Sequence, residues 1–436
     1  MIDLNIYRRK LAGLEPQTVF GRVKRAGALV VESDGPRTSV GDLCEILSEG
    51  RKEPVLSQVI GFRDRTVLSM PIYDVGGVKL GDKVVSRNQR PSVEVGRNLL
   101  GRVIDGNGRP LDGKGAIVCD SRYALDRDPL NPLSRSSIDT PLGTGVRAID
   151  GLLSVGRGQR VGIFGGSGVG KSTLIGMMAK YTEAAISVIA LVGERGREVG
   201  GFIERELGKE GLEKSVVVVS TSDSPPLMRI RAALAATAVA EYFRDSGEHV
   251  LLVMDSVTRV AMAQREVGLA AGEPPSSKGY TPSVFTLLPR LFERAGNFEK
   301  GSITGFFTIL VEGDDMNDPI ADAARGLLDG HIVLSRELAW RNHFPAIHIL
   351  DSLSRLMKDL AGPEQGEAAG LIRDLLATYQ KAEDLIDIGA YSKGSNPKID
   401  MALAKIDRIH LYLQQKADEP VEREAAVAQL IQLARK

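Results

Sequence analysis

A lysine and a serine closing a glycine-rich octet are the residues best placed to do chemistry in this chain. The stretch Gly165-Gly166-Ser167-Gly168-Val169-Gly170-Lys171-Ser172, followed by Thr173, fits the pattern G-x-x-x-x-G-K-[ST]. Glycines let backbone N–H groups turn inward around phosphate oxygens, where side chains would block them. An apolar run precedes the octet and an apolar-periodic segment follows it, so strand, loop and helix are expected in that order. The helix start would add partial positive charge. Lys171 is then expected to reach the β- and γ-phosphates, and the Ser172 hydroxyl to bind Mg²⁺. Two more strand ends carry carboxylates. Residues 250–254 form an apolar run ending at Asp255, which suits a residue holding Mg²⁺ directly or through its water shell. Capping of the next helix is the plainer alternative. Residues 186–192 form another run, ending in Gly193-Glu194-Arg195-Gly196-Arg197-Glu198. A carboxylate there would orient and polarise the water that attacks the γ-phosphate, a reaction ruled by positioning and charge neutralisation. His249, His331, His343, His348 and Trp340 are read as structural.

The elements that must hold these groups follow from periodicity. Strand-like runs at 161–164, 186–192, 216–220, 250–254, 303–311, 331–334 and 347–350 alternate with helical patterns such as Leu227, Ile230, Leu234 and Ala238. Such alternation implies a mostly parallel sheet covered by helices, with ligands at the carboxyl ends of its strands. Upstream, residues 18–23, 28–31, 42–46, 54–62 and 66–71 read as closely spaced short strands, hence a small β-barrel or sandwich. Residues 126–141, with Pro129, Pro132 and Pro141, read as a linker, and the end of 99–108 as a hairpin turn. Helices are expected at 368–382, 399–415 and 422–435, with a polar turn at 389–397. Residues 1–15 suit a short amphipathic helix bearing Arg8, Arg9 and Lys10, or a solvated terminus.

Composition sets the limits. Lys+Arg and Asp+Glu are 56 each, and this neutral balance argues against bulk nucleic-acid binding. Cys44 and Cys119, the two cysteines, lie far apart and read as buried free thiols in a reducing compartment. No run is long and apolar enough to span a membrane, which leads to the expectation of a cytoplasmic protein.

With these pieces in order, the chain resembles the catalytic subunits of rotary F/V-type ATPases of the α/β superfamily, and within them the type III secretion branch that includes the flagellar protein export ATPases. Residues Pro345-Ala346-Ile347-His348-Ile349-Leu350-Asp351-Ser352-Leu353-Ser354-Arg355 are similar to the rotary α/β signature. The segments 312–319, 328–336, 271–275, 278–282 and 193–199 are similar to the secretion branch. The resemblance covers nearly all of residues 17–415. It implies an α/β chain with an N-terminal segment at 1–16, a small β-barrel at 17–90, a RecA-like P-loop domain at 91–360 and a helical domain at 361–436. It further implies that Glu194 is the catalytic carboxylate, with Arg195 and Arg259 near it and the γ-phosphate, and Glu198 in the outer magnesium shell. Arg355 would be an arginine finger entering a neighbouring subunit's site, Phe344 would stack on adenine, and Gln414 and Gln415 would complete the base slot. ATP and Mg²⁺ would be the ligands and a homohexamer the assembly. The partners implied are a coiled-coil stalk protein, a regulatory binding protein, export chaperones and a membrane export gate, met peripherally at the cytoplasmic face of the inner membrane. The loop at 273–283, with Lys278 and Tyr280, would face the ring's pore or pack rigidly between subunits.

The nearest alternative is the injectisome ATPase. A synthase-type β subunit is disfavoured because 390–396 reads Ala-Tyr-Ser-Lys-Gly-Ser-Asn where those subunits carry an acidic, shaft-contacting run. A Rho-like translocase is disfavoured by the few aromatics at 17–90, and a noncatalytic subunit by Glu194. Gly200-Gly201 is expected to interrupt the helix that follows Glu198.

Overall fold

In the computed structural model, residues 19–127, 131–311, 313 and 315–435 are described. The proposed helix at 1–15 lies outside them. The chain divides into two units: residues up to Pro91 together with Val267–Glu273, and the remainder.

The first unit is a closed barrel of β1 (Phe20–Ala26), β2 (Val31–Ser33), β3 (Leu43–Leu47), β4 (Val55–Arg63), β5 (Thr66–Pro71) and β6 (Lys83–Ser86), in the order β1-β2-β5-β4-β3-β6. All of its pairings are antiparallel. Five of these strands were expected. Closure needs the sixth, a four-residue strand with only Val84 fully buried, too short to show a period. Val23, Val31, Cys44, Ile46, Val55, Val59, Val67 and Val84 fill the barrel. Mostly β-branched, these side chains suit a narrow, strongly curved interior. Closure also removes the exposed edges that an open sandwich would have to protect. Cys44 is a free thiol here, and burial pushes its pKa up to about 11.

The second unit is built on a sheet with the strand order β14-β13-β8-β12-β11-β9-β10-β7. These are β7 (Arg102–Asp105), β8 (Arg160–Gly165), β9 (Ile186–Glu194), β10 (Ser215–Thr221), β11 (His249–Asp255), β12 (Ser302–Leu310), β13 (Gly330–Val333) and β14 (Leu353–Ser354). All pair in parallel except β14, which runs antiparallel to β13. Both faces are covered, which is why the strands read as unbroken apolar runs. Along β9, Val188, Ala190 and Val192 enter one core, while Ile189 and Leu191 enter the other. The helices include, in chain order, α1 (Arg147–Leu152), α2 (Lys171–Tyr181), α3 (Gly196–Gly201), α4 (Pro226–Asp245), α5 (Val257–Ala271), α6 (Pro319–Leu327), α7 (Arg336–Trp340), α8 (Pro363–Asp387), α9 (Pro397–Leu413) and α10 (Arg423–Arg435). Helix α4 packs on the first core. Helices α2, α8, α9 and α10 share the second, so the C-terminal helices and the phosphate loop's helix rest on one apolar body. No helix among the described residues is long and apolar enough to cross a membrane.

Four expectations need correction. Residues 347–350 form no strand: Ile347 makes a single bridge to Leu334, because the free edge of β13 is taken by β14 and by the Ser352 hydroxyl, which accepts the Val333 N–H at 2.9 Å. Gly200-Gly201 does not break the helix. The chain stays helical at Gly201 (φ −60°, ψ −36°) and widens into a π-helical stretch, Phe202–Leu207, anchored by the buried Phe202 and Leu207. Trp340 is not packed but 78% exposed, since α7 is a five-residue helix on the surface. Cys119 is a free thiol but only partly buried.

Candidate active site

The octet loops from β8 into α2, as its pattern predicts. Gly168 and Gly170 adopt left-handed backbone (φ +80° and +88°), which fits two of the glycine positions to their conformation. A side chain at Gly170 would also meet the Phe344 ring at 3.3 Å. Val169 is buried and pins the loop, while Ser167 and Ser172 are exposed. Gly165 and Gly166 lead the loop out of the sheet.

Three strand ends converge beside the loop. Lys171 Nζ lies 2.9 Å from Asp255 Oδ1, with side-chain exposures of 13% and 4%. Asp255 ends β11, and the same Oδ1 accepts the Thr308 hydroxyl of β12 at 2.7 Å. Glu194 ends β9. Its carboxyl is pushed up to about 7, first by burial, then by the charge of Asp255, with Lys171 opposing and the neighbouring Glu198 raising it further. Glu198 sits in the first turn of α3 and pairs with Arg195 at 3.2 Å, both exposed. Arg259, in the first turn of α5, packs over Gly193. A Cβ at Gly193 (φ +74°) would come within 2.8 Å of the Arg259 Cβ. The Arg259 Nε is buried without a hydrogen-bond partner among the described residues, beside the turn that precedes Glu194.

A cavity of about 1080 Å³ opens from the phosphate loop, lined by Gly168, Gly170 and Thr173 on one side and by Phe344, Leu411 and residues 414–419 on the other. Phe344 is 40% exposed. Gln415 reaches this wall, but its side chain is committed to the protein. Its amide donates to the carbonyls of Gly145 (2.8 Å) and Glu419 (2.7 Å), and its oxygen accepts the Arg147 N–H (2.8 Å). Gln414 also lines the cavity.

Arg355 is not brought to this cluster. It follows β14, whose Ser354 pairs with Gly330 at the start of β13, level with Val161 at the start of β8. That is the amino end of the strands, whereas Lys171, Asp255 and Glu194 stand at the carboxyl end. Arg355 is exposed and donates to the Arg325 carbonyl at 3.0 Å. The loop around Lys278 and Tyr280 is likewise held. Lys278 pairs with Asp315 at 2.9 Å, and Tyr280 is buried against Phe285.

Thr308, Leu411, Asn342 and Arg147 border these groups and were not singled out from sequence. For Thr308 a signal existed: a hydroxyl in the middle of an apolar strand run needs a partner.

As a donor set, the exposed Ser172 hydroxyl and the Asp255 carboxylate suit a hard divalent cation such as Mg²⁺. Among the described residues no group of three or more His, Cys, Asp or Glu is arranged to hold a metal. A cation held largely by phosphate oxygens requires no such cage.

Residues 145–354 match the nucleotide-binding domain of the ATP synthase alpha/beta family, and residues 361–432 match the C-terminal domain of the type III secretion ATPase EscN. The flagellum-specific ATP synthase of Bacillus subtilis (strain 168) is 54% identical over 415 residues, spanning 95% of each chain. The structure of the assembled ATPase EscN from the enteropathogenic E. coli type III secretion system is similar with a TM-score of 0.90 at 45% identity, covering 95% of this chain and 100% of that one. EscN in complex with its central stalk EscO gives 0.88 at 44% identity with the same coverage.

Proposed function

The chain belongs to the ATP synthase alpha/beta family, in its flagellar and type III secretion branch, and from that membership we propose that it hydrolyses MgATP to drive flagellar protein export. The observation that carries the hydrolytic reading is the Lys171–Asp255 pair beside Glu194, all at the carboxyl ends of parallel strands. The loop N–H groups and the start of α2 grip the phosphates. Lys171 exchanges Asp255 for the β- and γ-phosphates. Ser172 and Asp255, with Glu198 further out, would hold Mg²⁺, which when bound neutralises charge on the phosphate oxygens. Glu194, as a carboxylate, orients the attacking water, and Arg195 and Arg259 face the γ-phosphate. Phe344 stacks on adenine, and Gln415 supports the base slot through its backbone bonds.

Arg355 completes a neighbour's site. Its place at the amino end of the strands supports action in trans, and head-to-tail copies closing into a homohexamer satisfy every site. In GTPases a finger is worth about 10³–10⁵ in rate. The flagellar assignment is favoured over the injectisome by 54% identity over 95% of the chain to the flagellum-specific ATP synthase of Bacillus subtilis, against 47% over 94% to the type 3 secretion system ATPase of Xanthomonas euvesicatoria. EscO beside EscN supports a coiled-coil stalk as partner. A regulatory binding protein, export chaperones and an export gate at the cytoplasmic face of the inner membrane complete the proposed setting, and the domain limits near 91 and 361 are part of the same reading.

Mixing tests the shared site. Lys171→Ala and Arg355→Ala subunits, each inactive, should regain hydrolysis together; assembled mixed rings that stay inactive would remove it. A deletion strain with basal bodies but no filaments would support flagellar export, and normal swimming would end that assignment.

A further inference from the structure

We propose that Arg147 is the positioning residue of the base slot, holding the loop of residues 414–419 against the wall that carries Phe344. The inference rests on reading the large cavity as the nucleotide site.

Arg147 opens α1 and lines that cavity, yet its side chain is only 13% exposed. It grips the loop at both ends. Its backbone N–H donates to Gln415 Oε1 at 2.8 Å, and its guanidinium meets Glu419 Oε1 at 2.7 Å. Its carbonyl accepts the Tyr412 hydroxyl at 3.2 Å, so the end of α9 is held as well. The loop is tied in turn to the aromatic wall, because the Gln415 N–H donates to the Phe344 carbonyl at 2.9 Å. A chain of direct bonds thus runs from the Arg147 backbone through Gln415 to Phe344, and the side chain of Arg147 adds its hold on Glu419, whose carbonyl accepts the Gln415 amide at 2.7 Å.

The charge balance makes this clasp sensitive. The Arg147 Nε is buried without a hydrogen-bond partner among the described residues, and beyond Glu419 the guanidinium has a long contact to Gln429 at 3.4 Å and lies 5.9 Å from the centre of the Tyr412 ring. Glu419 is therefore its main compensation, and a charge-assisted bond of that length is among the stronger single contacts available. All these bonds reach the Phe344 side of the cavity, none the phosphate loop. Arg147 should govern affinity for the base and leave the grip on phosphates alone.

The test compares a ligand with a base to one without. In the assembled full-length enzyme, Arg147→Met should raise KM for ATP about tenfold with kcat within about twofold. Competitive inhibition by inorganic tripolyphosphate should be unchanged. Glu419→Gln should move KM in the same direction by less, and the double variant should be no worse than Arg147→Met, since both cut one contact. Equal weakening of ATP and tripolyphosphate, a fall in kcat at constant KM, or additive effects would overturn the inference. Should Arg147→Met fail to fold, Arg147→Lys and Glu419→Gln carry the same comparison. Phe344→Ala separates two failures. If it raises KM while the Arg147 and Glu419 variants do not, only the clasp is wrong. If it too leaves KM unchanged, the base lies elsewhere and the clasp falls with that reading.

Discussion

Two buried ion pairs flank the same sheet and are built differently. Arg294 and Glu241 are joined by a two-pronged contact, Nε to Oε1 at 2.9 Å and Nη2 to Oε2 at 2.8 Å, and Arg294 Nη1 also donates to the Leu125 carbonyl at 2.8 Å. Lys171 and Asp255 share a single contact through one carboxylate oxygen, next to an open loop. The planar fork fixes both partners, whereas the ammonium is a point charge on a flexible stem that can be handed to another anion. Burial alone therefore does not mark a pair as functional; what marks it is a contact that can be exchanged.

The contrast can be broken from either side. Arg294→Met leaves Glu241 buried, with Arg127 at 3.4 Å as its remaining ion pair among the described residues. Breaking a buried pair costs about 3–5 kcal/mol, and Arg127 puts this case at the lower end. Denaturant unfolding should show that loss while turnover of the folded fraction stays unchanged. Lys171→Ala should do the reverse. Hydrolysis should fall about a hundredfold to a thousandfold, the scale of removing one preorganised donor, with a smaller loss of stability than Arg294→Met because Asp255 keeps the Thr308 hydroxyl. A large stability loss there, or none for Arg294→Met, would erase the distinction.

A smaller effect sharpens it. In the proposed reaction Glu194 acts as a carboxylate, and burial first, then the charge of Asp255, raises its pKa to about 7. Protonation below that value removes the base, so kcat/KM should fall about tenfold per unit as pH drops below 7 and level off above it. Glu198 contributes to the upward push, so Glu198→Gln should move the inflection to lower pH. An inflection unmoved by that change would mean Glu198 does not act on Glu194.

Much of this was legible in the chain because local pattern carried it. The octet names its own loop, and Asp255 and Glu194 stand where apolar runs stop. The parallel sheet showed in runs such as 186–192, which are apolar at every position because both faces are buried. What was not legible depended on distant partners. Gln415 is turned away from solvent by Gly145 and Arg147, about 270 positions earlier. Trp340 looks like core by residue type, but its short helix leaves it outside. Residues 347–350 have strand composition, yet the edge they would pair with is taken by 353–354. The neighbour to Arg259 is fixed by a glycine turn at 193 that composition alone does not reveal.

The position of Arg355, at the far end of the strands from its own phosphate loop, bears on fuel economy in the cell. If the finger works only across a contact, a freely diffusing copy neither burns nucleotide nor stimulates anything. Turnover then rises more steeply than linearly with local concentration. Recruitment to one place would act as the throttle, with no separate inhibitor required.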